Sequence, residues 1–292
     1  MAEIYVKQEQ DSSMESVTDL EYDMLYKVDS NKDDRWCNCL ALHDFSGDNV
    51  KWQEWFDFAL SIFSKHQLAP TRLAVNGTYY GNSAKSLTFK GGLRKLQKYD
   101  FKGIECLGFM AMPSKEDYTT NFIIKVFLYP NWQKPKNSTL TMCFDEKLEM
   151  FNQESFEKMT SKLHKFTNAK YGYYYYRHLR NSPDMYPSGS CDPYINKADK
   201  DACRLWDKQY NYNNGSYRTG NIRDVYRLNF LSKEHLEWQI SGNQNLEEWI
   251  KSSPNHGKLT EISPGFWSWY VEEHLITPIR QALIPSNIII CV

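Results

Sequence analysis

The side chains in this sequence that could do chemistry rarely fall at the spacings chemistry requires. Cys37-x-Cys39 puts two thiols on one face of a strand, but no second cysteine or histidine pair follows at zinc spacing, and Cys191 and Cys203 bracket a loop without a partner motif. Asp199-Lys-Asp201 resembles a calcium-ligand run, yet it lacks the glycine and the terminal bidentate glutamate of a calcium loop. No Gly-x-Ser-x-Gly elbow holds a nucleophile, and Lys90-Gly-Gly-Leu-Arg-Lys95 has bases without the spacing that aims backbone N–H groups at phosphate. His178, beside Arg177 and Arg180, is chemically able to be an acid, a base or a phosphate contact. With Tyr176 and Arg180 it makes the one set around which a nucleic-acid-processing or modifying enzyme could be built. The plainer reading is a strand-end histidine. No metal, cofactor or catalytic residue is therefore expected.

What must position those residues is Lys170-Tyr-Gly-Tyr-Tyr-Tyr-Tyr-Arg-His-Leu179, five tyrosines in six positions. Tyrosine favours a pleated, half-buried surface, so 171–177 reads as a strand with Tyr171, Tyr173 and Tyr175 on one face and Tyr174, Tyr176 and His178 on the other. A strand aromatic on both faces is either central in a sheet or half of a binding surface. After it, from Asn181 to Asn221, periodicity disappears while Tyr186, Tyr194, Trp206, Tyr210, Tyr212, Tyr217 and Arg218 accumulate among Pro, Gly, Ser, Asn and Asp. The stretch is longer than loops in compact domains usually are and too aromatic for ordinary disorder. Tyr, Trp and Arg are what protein interfaces over-use, so these seven residues are read as a partner-binding surface. The alternative is a loop that folds back and buries its rings on its own domain.

Composition narrows the classes further. A chain of 292 residues with 41% hydrophobic and 24% charged side chains can bury a real core. Its net charge of −1 argues against a nucleic-acid or membrane-surface binder held by bulk electrostatics. Residues 1–35 carry ten acidic and four basic side chains, an acidic leader on a mildly basic body. No apolar run is long enough to span a bilayer, and Met-Ala-Glu-Ile-Tyr-Val lacks the features of a signal peptide, so a cytoplasmic protein is expected. Seven cysteines, mostly in apolar stretches, read as small hydrophobes rather than as a disulfide framework.

Around the tyrosine strand, Trp36–His43 predicts a first strand. Trp52, Trp55, Phe56, Ala59, Ile62 and Phe63 predict a helix capped by Ser46 or Asp48, and Ser86–Tyr99 a weaker helix. Cys106–Met112, Asn121–Tyr129 and Ser138–Phe144 read as a meander, followed by a helix capped at Asn152. Beyond the loop, Ser232 caps a helix running to Gly242, and Asn245 caps a short helix over Leu246–Lys251. Lys258–Ile262 and Gly265–Val271 form a hairpin, Glu272–Leu283 a helix containing Pro278, and Asn287–Cys291 a buried strand. This order describes an α+β fold, mainly antiparallel sheet covered by helices with a long aromatic loop insertion. It divides into an acidic arm (1–30), an N-terminal α+β unit (31–150) and a C-terminal α+β unit (151–292) containing the 181–221 loop.

Arg223-Asp-Val-Tyr-x-x-Asn229-x-Leu-Ser232 with His235-Leu236, Leu246-x-x-Trp-Ile250, Gly257-Lys-Leu-Thr260 and Gly265-x-Trp267-x-Trp269 resemble small bacterial families associated with polymorphic-toxin immunity. In size and layout the whole chain is similar to phage inhibitors of the Gabija defence system. Both resemblances imply a non-catalytic protein that binds and neutralises a protein target, a toxin or a defence nuclease complex, in the cytoplasm of a bacterium or an infected bacterial host. The implied partner is protein, with no membrane and no direct nucleic acid. Self-association is expected in the complex, through the aromatic loop or the C-terminal strand.

Overall fold

The computed structural model describes residues 35–45, 50–81, 86–112, 122–129, 138–190, 197–212 and 215–292. Tyr194, the acidic segment 1–30 and the Ser46 and Asp48 caps lie outside the described residues, and of Arg180 and Tyr212 only the backbone is described.

Apolar and aromatic runs become twelve strands among the described residues: β1 (Trp36–His43), β2 (Arg72–Gly77), β3 (Ser86–Thr88), β4 (Ile104–Ala111), β5 (Ile124–Tyr129), β6 (Thr139–Asp145), β7 (Tyr171–His178), β8 (Leu228–Ser232), β9 (Gln239–Ser241), β10 (Gln244–Asn245), β11 (Lys258–Ser263) and β12 (Phe266–Tyr270). Ten of them join one antiparallel sheet in the order β11-β12-β8-β7-β1-β6-β5-β4-β2-β3. β1, buried along all but its first residue, sits mid-sheet, where an apolar run with little alternation belongs. Cys39 faces Cys143 of β6 on one side and Tyr175 of β7 on the other. The sheet thus runs unbroken past residue 150, where the sequence suggested a boundary between two units.

Two cores lie on opposite faces, and the period-2 alternation of β1 and β7 assigns them. On one face Leu40, Leu42 and Tyr174 lie under α1 (Trp52–Lys65), α2 (Phe89–Lys98) and α3 (Gln153–Thr167), which insert Trp55, Phe63, Leu96, Phe156 and Leu163. On the other, Cys37, Cys39, Ala41, Tyr171, Tyr173 and Tyr175 are covered by the 181–222 segment and by C-terminal helices. That segment is largely structured: α4 (Lys197–Asp207) continues into a π-helical turn, and Trp206, Tyr210 and Tyr217 belong to this core. The remaining helices are α5 (Lys233–Leu236), α6 (Leu246–Lys251) and α7 (Glu273–Leu283), the last containing Pro278.

Several boundaries differ from expectation for local reasons. The weak helix expected from Ser86 begins at Phe89, because Ser86–Thr88 pairs with β2 and the Thr88 hydroxyl caps the Gly91 N–H at 3.2 Å. α1 starts at Trp52, with Lys51 at the N-cap and no side-chain cap. The helix after Ser232 is only one turn, and the chain then doubles back as β9 and β10 through Gly242 at φ +53°. Asn152 and Asn245 do cap their helices, each side chain accepting a backbone N–H at 2.9 Å. The C-terminal segment is buried at Ile288, Ile289 and Cys291 but does not enter the sheet. It runs parallel to residues 222–223, with Ile222 N–H donating to the Ile288 carbonyl and Ile290 N–H to that of Ile222, both at 2.9 Å. No helix among the described residues is long and apolar enough to cross a membrane.

Candidate functional site

Of the seven residues expected to form a partner surface, five have described side chains, and three of those five are buried. Trp206 and Tyr217 are fully buried and Tyr210 nearly so. Together with Tyr171 and Tyr173 they surround His43, the last residue of β1, whose ring centroid lies 5.4–6.0 Å from each of the five aromatic rings. Among the described residues neither His43 nitrogen has a hydrogen-bond partner, and burial, with Arg223 and Arg218 adding to it, holds the imidazole well below its ordinary pKa and therefore neutral. Tyr186 is half-buried under Arg223, and Arg218 pairs with Asp44 at 3.1 Å. The expectation of an outward aromatic loop is corrected on this point. A polar, aromatic loop can cover a sheet whose own face is tyrosine-rich, because ring stacking and hydroxyl bonds replace aliphatic packing.

Arg223 organises this inner layer. Fully buried, it donates from Nη1 to the Tyr173 hydroxyl (2.9 Å) and the Tyr186 carbonyl (2.7 Å), while its backbone N–H donates to the Tyr171 hydroxyl (2.7 Å). The neighbouring Tyr226 stacks on Tyr173 at 4.5 Å and shares a 3.0 Å hydroxyl bond with Tyr186.

Tyr226 also forms one wall of a cleft of ≈ 760 Å³ that opens beside β1 and β7 on the helix-covered face. Its floor is Asn38 and Tyr174, the Tyr174 hydroxyl donating to Asn38 Oδ1 while Asn38 Nδ2 donates to the Glu149 carbonyl at 2.7 Å. Phe151 forms another side, with the Arg227 guanidinium 4.0 Å above its ring and 4.0 Å from Glu273. At the mouth stand Tyr176, 48% exposed, and Met150, 79% exposed. Tyr176 stacks on the partly exposed Trp36 (4.9 Å, 15°), and His178 meets Trp36 edge-on at 5.3 Å. Of the set Tyr176, His178 and Arg180, the structure thus brings the first two onto one tryptophan at the rim.

The cleft presents hydrogen-bonding groups, aromatic faces and a guanidinium. Tyr176 donates to Glu146, and desolvation together with that carboxylate pushes the phenol up to about 12, so it stays a hydrogen-bond donor at neutral pH. Elsewhere, the 2.9 Å Ser232–His235 pair is buried, and burial lowers His235 to about 4. Cys39 and Cys143 face one another across β1 and β6, but burial raises both thiols above the ordinary range, away from the reactive thiolate. Among the described residues no group of three or more His, Cys, Asp or Glu side chains could hold a metal ion. Reasoning from sequence missed the cleft residues Met150, Phe151 and Arg227. Their signal was faint: a methionine and an aromatic just before a helix cap, and an arginine beside Tyr226.

No protein-family model matches the chain, and no curated protein matches it in sequence. Among solved structures the fold is similar to that of the Pseudomonas aeruginosa T6SS protein PA0821. The TM-score is 0.53 at 14% identity, over 85% of this chain and 72% of the other. At that identity the likeness concerns the fold.

Proposed function

We propose that the chain is a non-catalytic binding protein of bacterial conflict that neutralises a protein target by occupying it, with the Trp36–Tyr176–Met150 rim and the cleft behind it as the contact surface. The carrying observation is that rim: Tyr176 and Met150, 48% and 79% exposed, line a cleft whose wall carries Arg227, and Trp36, 37% exposed, stacks on Tyr176 beside it. Trp, Tyr, Met and Arg are the residues that interfaces concentrate, and Tyr and Trp lose little rotamer freedom on binding. The shared fold with a T6SS protein supports a conflict setting, as do the resemblances to toxin-immunity families and to phage anti-defence inhibitors. In this reading the protein works in the bacterial cytoplasm, stoichiometrically, and self-associates in the complex.

The test is rescue of growth in bacteria expressing antibacterial toxins, or of infection in bacteria carrying nuclease-type defence systems. The chain is expected to relieve at least one. Trp36→Ala with Tyr176→Ala should abolish relief while His178→Ala keeps it. Relief that survives the double substitution overturns the surface; relief that His178→Ala abolishes, with purified protein processing nucleic acid, overturns the non-catalytic reading in favour of an enzyme around Tyr176, His178 and Arg180.

A further inference from the structure

The near-zero net charge hides two opposed segments. Residues 1–35 carry a net −6, whereas residues 71–104 contain seven basic side chains and one acidic, Asp100, a net +6. The basic segment builds the β2–β3 end of the sheet, four strand positions from β1 and so about 20 Å from the cleft. Its helix α2 exposes Lys90, Arg94, Lys95 and Lys98 and contains no acidic residue. Lys90, Arg94 and Lys98 stand at i, i+4 and i+8, a single stripe with charges about 6 Å apart along the axis. Among the described residues none of these four side chains pairs with a carboxylate, and Asp100 is taken by Lys102 at 3.2 Å.

This helix is carried against its own physics. Like charges at i, i+4 oppose helix formation, and Gly91 and Gly92 are poor helix formers. Gly92 has a structural reason, since a Cβ there would meet the Leu73 side chain at 2.6 Å, so α2 is held close against β2. Lys95 and Lys98 in the last turn complement the helix dipole, but Lys90 and Arg94 have no such reason among the described residues. Beside its C-terminal end lies a stacking platform. Tyr79, 54% exposed, stacks on Tyr99 (5.2 Å, 16°), and a Cβ built on Gly103 would come within 2.9 Å of the Tyr79 ring, so the ring rests directly on the backbone. Lys98 Nζ lies 5.0 Å from the Tyr99 ring centroid, which joins the charge stripe to the platform.

We infer that this end of the sheet is a binding surface for single-stranded nucleic acid, with the α2 stripe following the phosphates and Tyr79 stacking on a base. An acidic polypeptide would match the charge stripe but does not present a flat face at every residue, whereas every base has a face to lay on the supported ring. This surface is separate from the cleft and stands or falls without it.

The experiment is fluorescence anisotropy of the full chain with labelled oligothymidylate about 20 nucleotides long, beyond a site of roughly 4–16. With about four phosphate contacts the logarithmic salt slope should be about −3, so affinity falls about 50-fold between ~50 and ~200 mM salt. Arg94→Glu with Lys98→Glu, both exposed, should weaken binding at least tenfold. Tyr79→Ala should weaken it about fivefold or more with the slope unchanged, and Tyr79→Phe should restore it. Absence of saturable binding at ~50 mM salt, or indifference to the double reversal in a protein that still unfolds cooperatively, overturns the inference. So does a polyglutamate peptide binding as tightly and ignoring Tyr79→Ala, which would make the partner an acidic polypeptide.

Discussion

The Arg223 guanidinium lies 3.6 Å from the centroid of the Tyr186 ring, and Arg177 lies 4.4 Å from the same centroid. One tyrosine from the long loop therefore serves two buried arginines. Arg177 also has Asp199 at 3.4 Å, whereas Arg223 is met by rings, hydroxyls and carbonyls. A desolvated cation–π contact contributes about 2 kcal/mol, and losing the ring would leave a cavity besides. Tyr186→Leu is expected to cost about 3 kcal/mol in urea unfolding. Tyr186→Phe, which loses only the hydroxyl bond to Tyr226, should cost about 1 kcal/mol. Equal losses would mean that the hydroxyl, not the ring, carries the contact.

Trp206 tests whether the loop is core. It is fully buried, its Nε1 donates to the Pro187 carbonyl at 2.7 Å, and its ring lies 5.1 Å from Tyr217. Trp206→Ala should cost about 3–5 kcal/mol and lower Tm by about 5–8 °C. Tyr176→Ala, at the exposed rim, should cost less than about 1 kcal/mol. Were Trp206→Ala as mild as Tyr176→Ala, the ring would not be core.

What the sequence disclosed follows from periodicity. The face assignment of the tyrosine strand, the Asn152 and Asn245 caps and the β11–β12 hairpin were legible because each rests on a spacing rule that acts locally. β2 was missed because Leu73-Ala-Val75 is three apolar residues whose partner, β4, lies some thirty positions away. The loop was illegible for a related reason. Cys203, Trp206 and Tyr210 do stand at i, i+3 and i+7 on one helical face, but it is short and set among polar residues, and Tyr217 joins Trp206 and Tyr210 around His43 from a separate turn of chain. The cleft joins Asn38, Phe151, Tyr176 and Arg227, and no local pattern can announce such a meeting.

Gly172, inside the tyrosine strand, lies opposite Leu42 of β1 with no room for a side chain. A Cβ there would meet the Ala41 carbonyl oxygen at 2.6 Å and Leu42 Cδ2 at 2.5 Å. Leu42 has rotamers to explore, but a carbonyl in a central ladder cannot retreat without breaking it. Gly172→Ala is accordingly expected to destabilise by about 2 kcal/mol or more, through overpacking. Equilibrium denaturation decides, and a change below about 0.5 kcal/mol would show that the two strands can part.

Two buried imidazoles make stability depend on pH. Burial is the leading cause in both: it lowers His43 well below its ordinary value and His235 to about 4. In the unfolded chain each titrates near 6.5. Above pH 6.5 both states are neutral and the native state keeps its full stability. Below it the unfolded chain takes up protons that the native state refuses, so stability falls as pH drops from about 6.5 towards about 4. For His235 alone the loss across that window is about 3 kcal/mol. Urea midpoints at pH 7 and pH 4.5 should differ accordingly. His43→Phe keeps an aromatic ring among the five that surround it and removes one titration, so it should narrow the gap between the two midpoints whatever it does to absolute stability. An unchanged gap would mean that His43 is protonated, or already exposed, in the native state at acid pH.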